Sequence, residues 1–188
     1  MEILTQSELA YRRAEIIEKI KSGALFIYPT DTIYGIGCNA LKARSVQAIR
    51  KLKNRPDSPL SIWVPSKEWI RQHCHISPQA EKWLEKLPGP YTLIHPLKEN
   101  HPLPNSVIGT ANTIGVRLPD HWFHQVVKEC NFPIITTSAN KCDEPFMTKL
   151  ENLDEDIQNG VEFMIYEGEK KSRPSTLINI EKEEIKER

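Results

Sequence analysis

Seven short runs rich in β-branched and aromatic residues punctuate this chain: ALFIY (24–28), LSIWV (60–64), YTLIHPL (91–97), IGVRLP (114–119), IITTSAN (134–140), FMIYEG (163–168) and STLINI (175–180). Runs of this length, several set off by Gly or Pro, read as buried strands rather than helices. Helical patterns separate them. Thr5 and Glu8 have capping-box spacing ahead of Leu9, Ile16, Ile17 and Ile20, and that helix stops at Gly23. ARSVQAIRKLK (43–53) and SPQAEKWLEKL (77–87) are two further helices, and Asp120 is the expected cap of a fourth, HWFHQVVKEC. Strands alternate with helices early but follow one another around 91–118. The expected fold is therefore α/β, a twisted open mixed sheet with flanking helices.

A chain of 188 residues suits one domain, with an expected core at about 8–180 and a polar solvated tail at 181–188. With 25 basic and 25 acidic side chains, bulk attraction to nucleic acid is not indicated. The charges are segregated, however. Residues 42–55 carry Lys42, Arg44, Arg50, Lys51, Lys53 and Arg55 without an acid, whereas 151–169 carry seven acids without a base. Cys38, Cys74, Cys130 and Cys142 show no paired spacing and read as free thiols of an intracellular protein. The polar N-terminus and the absence of any long apolar run predict a soluble, cytoplasmic protein without membrane association.

Two strands end in polar tips, YPTDT (28–32) and TTSAN (136–140), and ligands of open α/β sheets gather at strand ends. Thr136, Thr137, Ser138 and Asn140 offer hydroxyls and an amide suited to phosphate, ribose or carboxylate, although such residues also bond their own turns. Gly35 and Gly37 are expected to let the backbone approach a ligand. Lys53 and Arg55, just before Pro56, can reach one polyanion, or merely suit a helix C-terminus. Arg117, inside a strand, requires a carboxylate, a phosphate or water beside it, and a structural salt bridge serves as well as a ligand. Ser175 and Thr176 lie beside Lys170, Lys171 and Arg173 at the start of the last run.

Taken in order, YPTDTIYGIGCNA, KNRP followed by Pro59-Leu60, PGPYTLI, GVRLPDH, TTSAN and RPSTL resemble the YrdC/Sua5/TsaC family, the threonylcarbamoyl-AMP synthases, in its short form. The resemblance covers about residues 10–180. It implies a YrdC-like domain related to the dihydroxybutanone-phosphate synthase fold, making threonylcarbamoyl adenylate from L-threonine, bicarbonate and ATP with release of pyrophosphate, for the t6A modification of tRNA. It further implies that Lys53, Arg55, Ser138 and Asn140 serve ATP, with Lys53 and Arg55 catalytic, and that Thr30, Thr32, Arg117 and Ser175 hold L-threonine or its carbamate. Mg2+ accompanies the ATP, and the adenylate passes to a separate threonylcarbamoyl transferase complex. Lys141 to Pro145, and Lys170 to Ser172 where the family carries glycines, depart from the pattern beside the expected nucleotide pocket.

A different class of function is a double-stranded RNA or tRNA-binding module of the same fold, active in ribosome maturation, with the 42–55 cations on an RNA backbone. The two readings separate on where those cations point. His73, Cys74, His75, His121 and His124 lack metal-site spacing, Gly35-Ile36-Gly37 lacks the third glycine of a dinucleotide fingerprint, and there is no P-loop.

Overall fold

The N-terminal capping box forms: Thr5 Oγ1 accepts the Glu8 N–H at 3.3 Å while Glu8 Oε2 accepts the Thr5 N–H at 2.8 Å. In this computed structural model of the protein, which describes residues 1–56 and 58–187, the helix it opens is divided at Arg12 into α1 (Gln6–Tyr11) and α2 (Arg13–Ser22). Gly23 closes α2 in the left-handed region, at φ 111°, where a side chain would be strained and its Cβ would strike Ser45 Oγ at 2.5 Å. The remaining helices are α3 (Ala43–Leu52), α4 (Lys67–His73), α5 (Pro78–Glu85), α6 (Asn105–Ile108), α7 (His124–Cys130) and α8 (Glu155–Gly160). Ser66, Ser77 and Asp154 cap α4, α5 and α8 with their side chains.

Ten strands among the described residues join one sheet: β1 (Glu2–Leu4), β2 (Phe26–Tyr28), β3 (Gly35–Gly37), β4 (Ser61–Trp63), β5 (Tyr91–Pro96), β6 (Thr113–Arg117), β7 (Ile134–Ser138), β8 (Phe163–Ile165), β9 (Thr176–Asn179) and β10 (Glu184–Lys186). Their order is β1-β8-β2-β3-β7-β4-β6-β5-β9-β10. The pairs β1/β8, β8/β2, β4/β6 and β5/β9 are parallel, the others antiparallel, so the sheet is mixed as expected.

Strand alternation sorts the side chains into two layers. Ile62, Leu93, Val116, Ile135 and Ile178 point to one face and pack with Val46 and Ile49 of α3, Ile70 of α4 and Leu84 of α5. The opposite face carries Tyr28, Trp63 and Ile134 against Ile16 and Ile20 of α2 and Val126 and Val127 of α7. Its aromatic centre is dense, with Tyr28 stacked on Phe123 at 5.1 Å and Phe26 on Phe163 at 5.1 Å. Further along this second face the side chains become polar, and there the cleft opens.

Three expectations fail locally. The expected solvated tail at 181–188, whose last residue lies outside the described residues, contains an edge strand, because Glu184–Lys186 pair with β9 while their side chains stay exposed. The fold also begins earlier than residue 8, since Glu2–Leu4 pair with β8. Asp120 does not cap α7, which starts after Phe123; its backbone N–H instead donates to Asp31 Oδ2 at 3.3 Å.

His95 on β5 is fully buried, and neither ring nitrogen has a hydrogen bond among the described residues. Burial pushes its pKa down to about 4, against a smaller opposing pull from the His75 backbone. A histidine whose folded pKa lies below its unfolded value stabilises the fold fully above the unfolded pKa and loses that contribution as pH falls through the window from 6.5 to about 4. At ~1.36 kcal/mol per unit the loss amounts to about 3 kcal/mol. Urea unfolding at pH 7 and pH 4 should therefore show a pH dependence about 3 kcal/mol smaller in His95→Leu than in the parent protein. Equal pH dependence in the two would contradict this assignment.

Candidate active site

The register of the central strands builds the cleft. Ser61 on β4 lies between Thr136 on β7 and Gly115 on β6, and Gly35 on β3 pairs with Ser138 at the end of β7. Gly115 is required there, because a Cβ would meet Ser61 Oγ at 2.6 Å and Thr92 Cγ2 at 3.1 Å. Two residues further along the same face, Arg117 reaches the cleft. Thr30 and Thr32 enter from the β2–β3 loop, and Ser175 from the start of β9. The cleft's volume is about 240 Å³, with Phe146 and Pro174 as apolar wall.

Hydroxyl groups line this floor in bonded pairs. Thr30 Oγ1 donates to the Ile33 carbonyl at 2.8 Å, accepts the Thr32 N–H at 3.1 Å and lies 3.0 Å from Thr32 Oγ1. Ser175 Oγ and Thr92 Oγ1 are 2.7 Å apart. Arg117 is 6% exposed and donates through Nη2 to Asp31 Oδ1 at 2.7 Å and to Thr32 Oγ1 at 3.3 Å. Its Nε is buried without a partner among the described residues. Burial lowers the guanidinium's pKa against the pull of Asp31, yet an arginine remains charged. The site thus contains a cation with bonding capacity left over.

Lys53, Ser138 and Asn140 come together as the sequence suggests, but in an unexpected arrangement. Lys53 is 2% exposed, and its Nζ donates to the Ser138 carbonyl at 2.5 Å, to Asn140 Oδ1 at 3.2 Å and to the Asn140 carbonyl. Ser138 Oγ donates to Asn140 Oδ1 at 2.5 Å, and Asn140 Nδ2 to the Glu144 carbonyl at 2.5 Å. All three ammonium protons are occupied. Burial, with repulsion from Arg55 adding to it, pushes the Lys53 pKa down to about 8. Lys53 therefore ties the 138–140 turn from behind, while Arg55 and Ser138 line the cleft itself. Arg55 Nη2 donates to the Pro59 carbonyl at 2.9 Å.

Gly35 and Gly37 serve a different purpose from ligand approach. A Cβ on Gly35 would come within 3.1 Å of the Tyr28 ring, and one on Gly37 within 2.7 Å of that ring and 2.3 Å of the Ile135 carbonyl. Gly35 still borders the cleft through its backbone, but the glycines make room chiefly for Tyr28.

Sequence reasoning overlooked a polar knot at one edge. Glu167 accepts from Trp122 Nε1 at 2.7 Å and from His121 Nε2 at 3.0 Å, and pairs with Lys170 Nζ at 2.5 Å. The His121 tautomer follows from its neighbour: Nδ1 accepts the Phe123 N–H at 3.2 Å, leaving Nε2 as the donor. Burial pushes the Glu167 carboxyl upward, but the hydrogen bonds from His121, Lys170 and Trp122 prevail and hold it at about 2. Lys170 also donates to the Thr30 carbonyl at 2.8 Å, and Tyr34 OH donates to the Gly168 carbonyl at 2.6 Å. The segment before Ser175 is thereby strapped to the loop that presents Thr30 and Thr32. In the sequence Glu167 falls within the apolar run FMIYEG and His121 carries no metal-site spacing, so nothing but the departure at Lys170 pointed to a polar cluster here.

An open mixed sheet bearing one hydroxyl-lined, arginine-based cleft at its strand ends defines a small-molecule-binding α/β protein of the YrdC-like fold. The chain belongs to the Sua5/YciO/YrdC family, whose family model, described as telomere recombination, matches residues 18–187. It is 35% identical over 181 residues to a Methanocaldococcus jannaschii protein that carries a provisional threonylcarbamoyl-AMP synthase name, an alignment covering 92% of this chain and 84% of that protein. It is 34% identical over 166 residues to a Pyrococcus abyssi protein named threonylcarbamoyl-AMP synthase, covering 86% of this chain but 48% of that one. The solved structure of P. abyssi Sua5 complexed with L-threonine superposes with a TM-score of 0.82 at 31% identity, over 95% of this chain and 53% of that one. The chain thus spans about half the length of the P. abyssi protein.

Proposed function

We propose that this chain is a threonylcarbamoyl-AMP synthase, condensing L-threonine, bicarbonate and ATP into threonylcarbamoyl adenylate and pyrophosphate for t6A modification of tRNA. The observation that carries the reading is the convergence of the buried Arg117 guanidinium on a cleft floored by Thr30, Thr32 and Ser175. Such a floor suits a zwitterionic amino acid with a hydroxyl, the substrate class that P. abyssi Sua5 was crystallised with. In this reading the Arg117 guanidinium takes the carboxylate, and hydroxyl and backbone groups orient the amine and side chain. The cleft of about 240 Å³ holds the amino-acid moiety, and the nucleotide extends past Arg55 and Ser138.

No protein nucleophile is needed. The neutral amine of threonine takes up the carbon of bicarbonate with loss of water, giving a carbamate. A carbamate oxygen then attacks the α-phosphorus of ATP, the bond from that phosphorus to the bridging oxygen breaks, and pyrophosphate leaves. The protein contributes orientation and positive charge, from Arg55 directly and from Lys53 through the 138–140 turn. Among the described residues no group of three or more His, Cys, Asp or Glu side chains could hold a metal ion, so Mg2+ would enter on the triphosphate rather than in a protein cage.

The cations of 42–55 divide in the enzyme's favour. Lys53 and Arg50 turn inward, Arg55 faces the cleft, and only Lys42, Arg44 and Lys51 of the run stay exposed. That leaves a sparse basic face on α3, poorly suited to tracking an RNA backbone. Among the described residues no helix is long and apolar enough to cross a membrane. A cytoplasmic setting, with the adenylate handed to a transferase complex acting on tRNA, completes the proposal.

Calorimetry tests the substrate assignment directly. L-threonine should bind the nucleotide-free protein at least about tenfold more tightly than L-valine, its hydroxyl-free isostere, because a methyl group cannot exchange hydrogen bonds with the hydroxyl-lined floor and covers polar groups it cannot satisfy. Equal affinities would exclude this floor as the threonine site.

A further inference from the structure

We propose that Arg50 is a positioning residue for the nucleotide, acting through the backbone of Arg55; the inference rests on the synthase reading. In the sequence Arg50 belongs to a basic run that looks solvated, but the folded chain buries it to 8% exposure in the last turn of α3. Its guanidinium converges on five carbonyls. Nη1 faces those of Arg55 at 3.1 Å, Pro56 at 3.0 Å and Ser58 at 2.9 Å. Nε donates to Ser106 at 2.6 Å, and Nη2 to Val107 at 3.2 Å, both in α6.

Among the described residues the loop leaving α3 is held mainly by two side chains, Arg50 and Arg55, whose Nη2 donates to the Pro59 carbonyl at 2.9 Å. Pro56, Ser58 and Pro59 are exposed, and the two prolines supply no backbone N–H. A planar fork with five N–H donors can collect carbonyls from two directions at once, which a lysine's single ammonium cannot do. The Arg55 N–H returns a bond to the Arg50 carbonyl at 2.9 Å, so both backbone groups of Arg55 are set by Arg50. Arg55 then places its side chain in the cleft, whereas Arg50, buried behind the loop, does not line it. Arg50 is thus the residue that aims the phosphate-binding arginine.

Steady-state pyrophosphate release, with ATP and L-threonine varied separately, tests this on Arg50→Gln, Arg50→Lys, Arg55→Ala and the Arg50→Gln/Arg55→Ala double variant. The expected result is a rise of about tenfold or more in the KM for ATP in Arg50→Gln, a KM for L-threonine within about twofold of the parent, and partial recovery in Arg50→Lys. On the Arg55→Ala background the second substitution should add less than about twofold, since its route to the substrate is already gone. An unchanged KM for ATP, an equal rise in both constants, or full multiplication of the two effects would overturn the inference. Should Arg50→Gln fail to fold by circular dichroism, Arg50→Lys must show the same split at smaller amplitude, and no split overturns the proposal. If the parent protein releases no threonine-dependent pyrophosphate, the synthase reading fails; calorimetry with tripolyphosphate then tests Arg50 alone, with about tenfold weaker binding in the variant supporting it and equal binding refuting it.

Discussion

Arg117→Gln is expected to lose L-threonine binding by about 100-fold or more in calorimetry, the scale of about 3 kcal/mol for removing a charge-assisted, two-pronged contact to a carboxylate. The same substitution should destabilise the fold, because Asp31, with a side chain 10% exposed, would keep its charge without its partner. Breaking one side of a buried pair costs ~3–5 kcal/mol, and the lower end applies here because Asp31 Oδ2 retains the Asp120 N–H. The two losses can be separated. Adding Asp31→Asn removes the orphaned charge and should restore most of the urea midpoint, yet binding should not return, since no cation is regained. Recovery of both together would assign Arg117 a purely structural salt bridge.

Lys53→Ala should lower kcat/KM for ATP by about 30–1,000-fold, or ~2–4 kcal/mol of transition-state stabilisation, in steady-state pyrophosphate release. The physical route differs from a simple lysine–phosphate contact. Without the ammonium, the carbonyls of Ser138 and Asn140 and the Asn140 Oδ1 lose a shared donor, and the turn that presents Ser138 to the cleft is released. A pH profile follows as well. Protonated Lys53 donates three hydrogen bonds, so kcat/KM should fall as pH rises through about 8, the value to which burial has lowered it. The fold's preference for the neutral form runs the other way for stability, which gains between about pH 8 and the ordinary lysine value of 10.5. A Lys53→Ala protein with parental kcat/KM would remove Lys53 and the 138–140 turn it holds from the mechanism.

Much of this was legible before any coordinates. β7, and β2 together with the loop that follows it, run from apolar to polar as the chain leaves the core for the cleft, and that gradient is visible in ALFIYPTDT and IITTSAN. Arg117 stood out because a charge inside a strand must be compensated. The strand Gly35–Gly37 was not legible, since glycines have low strand propensity and its place between β2 and β7 is dictated by the Tyr28 ring it accommodates. Nor was the inward turn of Lys53 and Arg50: a cation at a helix C-terminus looks the same whether it faces water or a cluster of carbonyls. Glu184–Lys186 reads as a polar tail because an edge strand with both faces in water carries no apolar alternation.

The central claim is most directly tested by pyrophosphate release from ATP and Mg2+ on the purified protein, with L-threonine and bicarbonate each omitted in turn and L-serine substituted for L-threonine. The account predicts release only when L-threonine and bicarbonate are both present, with L-serine slower by about tenfold for its missing methyl group. Release that persists without bicarbonate, or none from the folded protein with every component present, would contradict it.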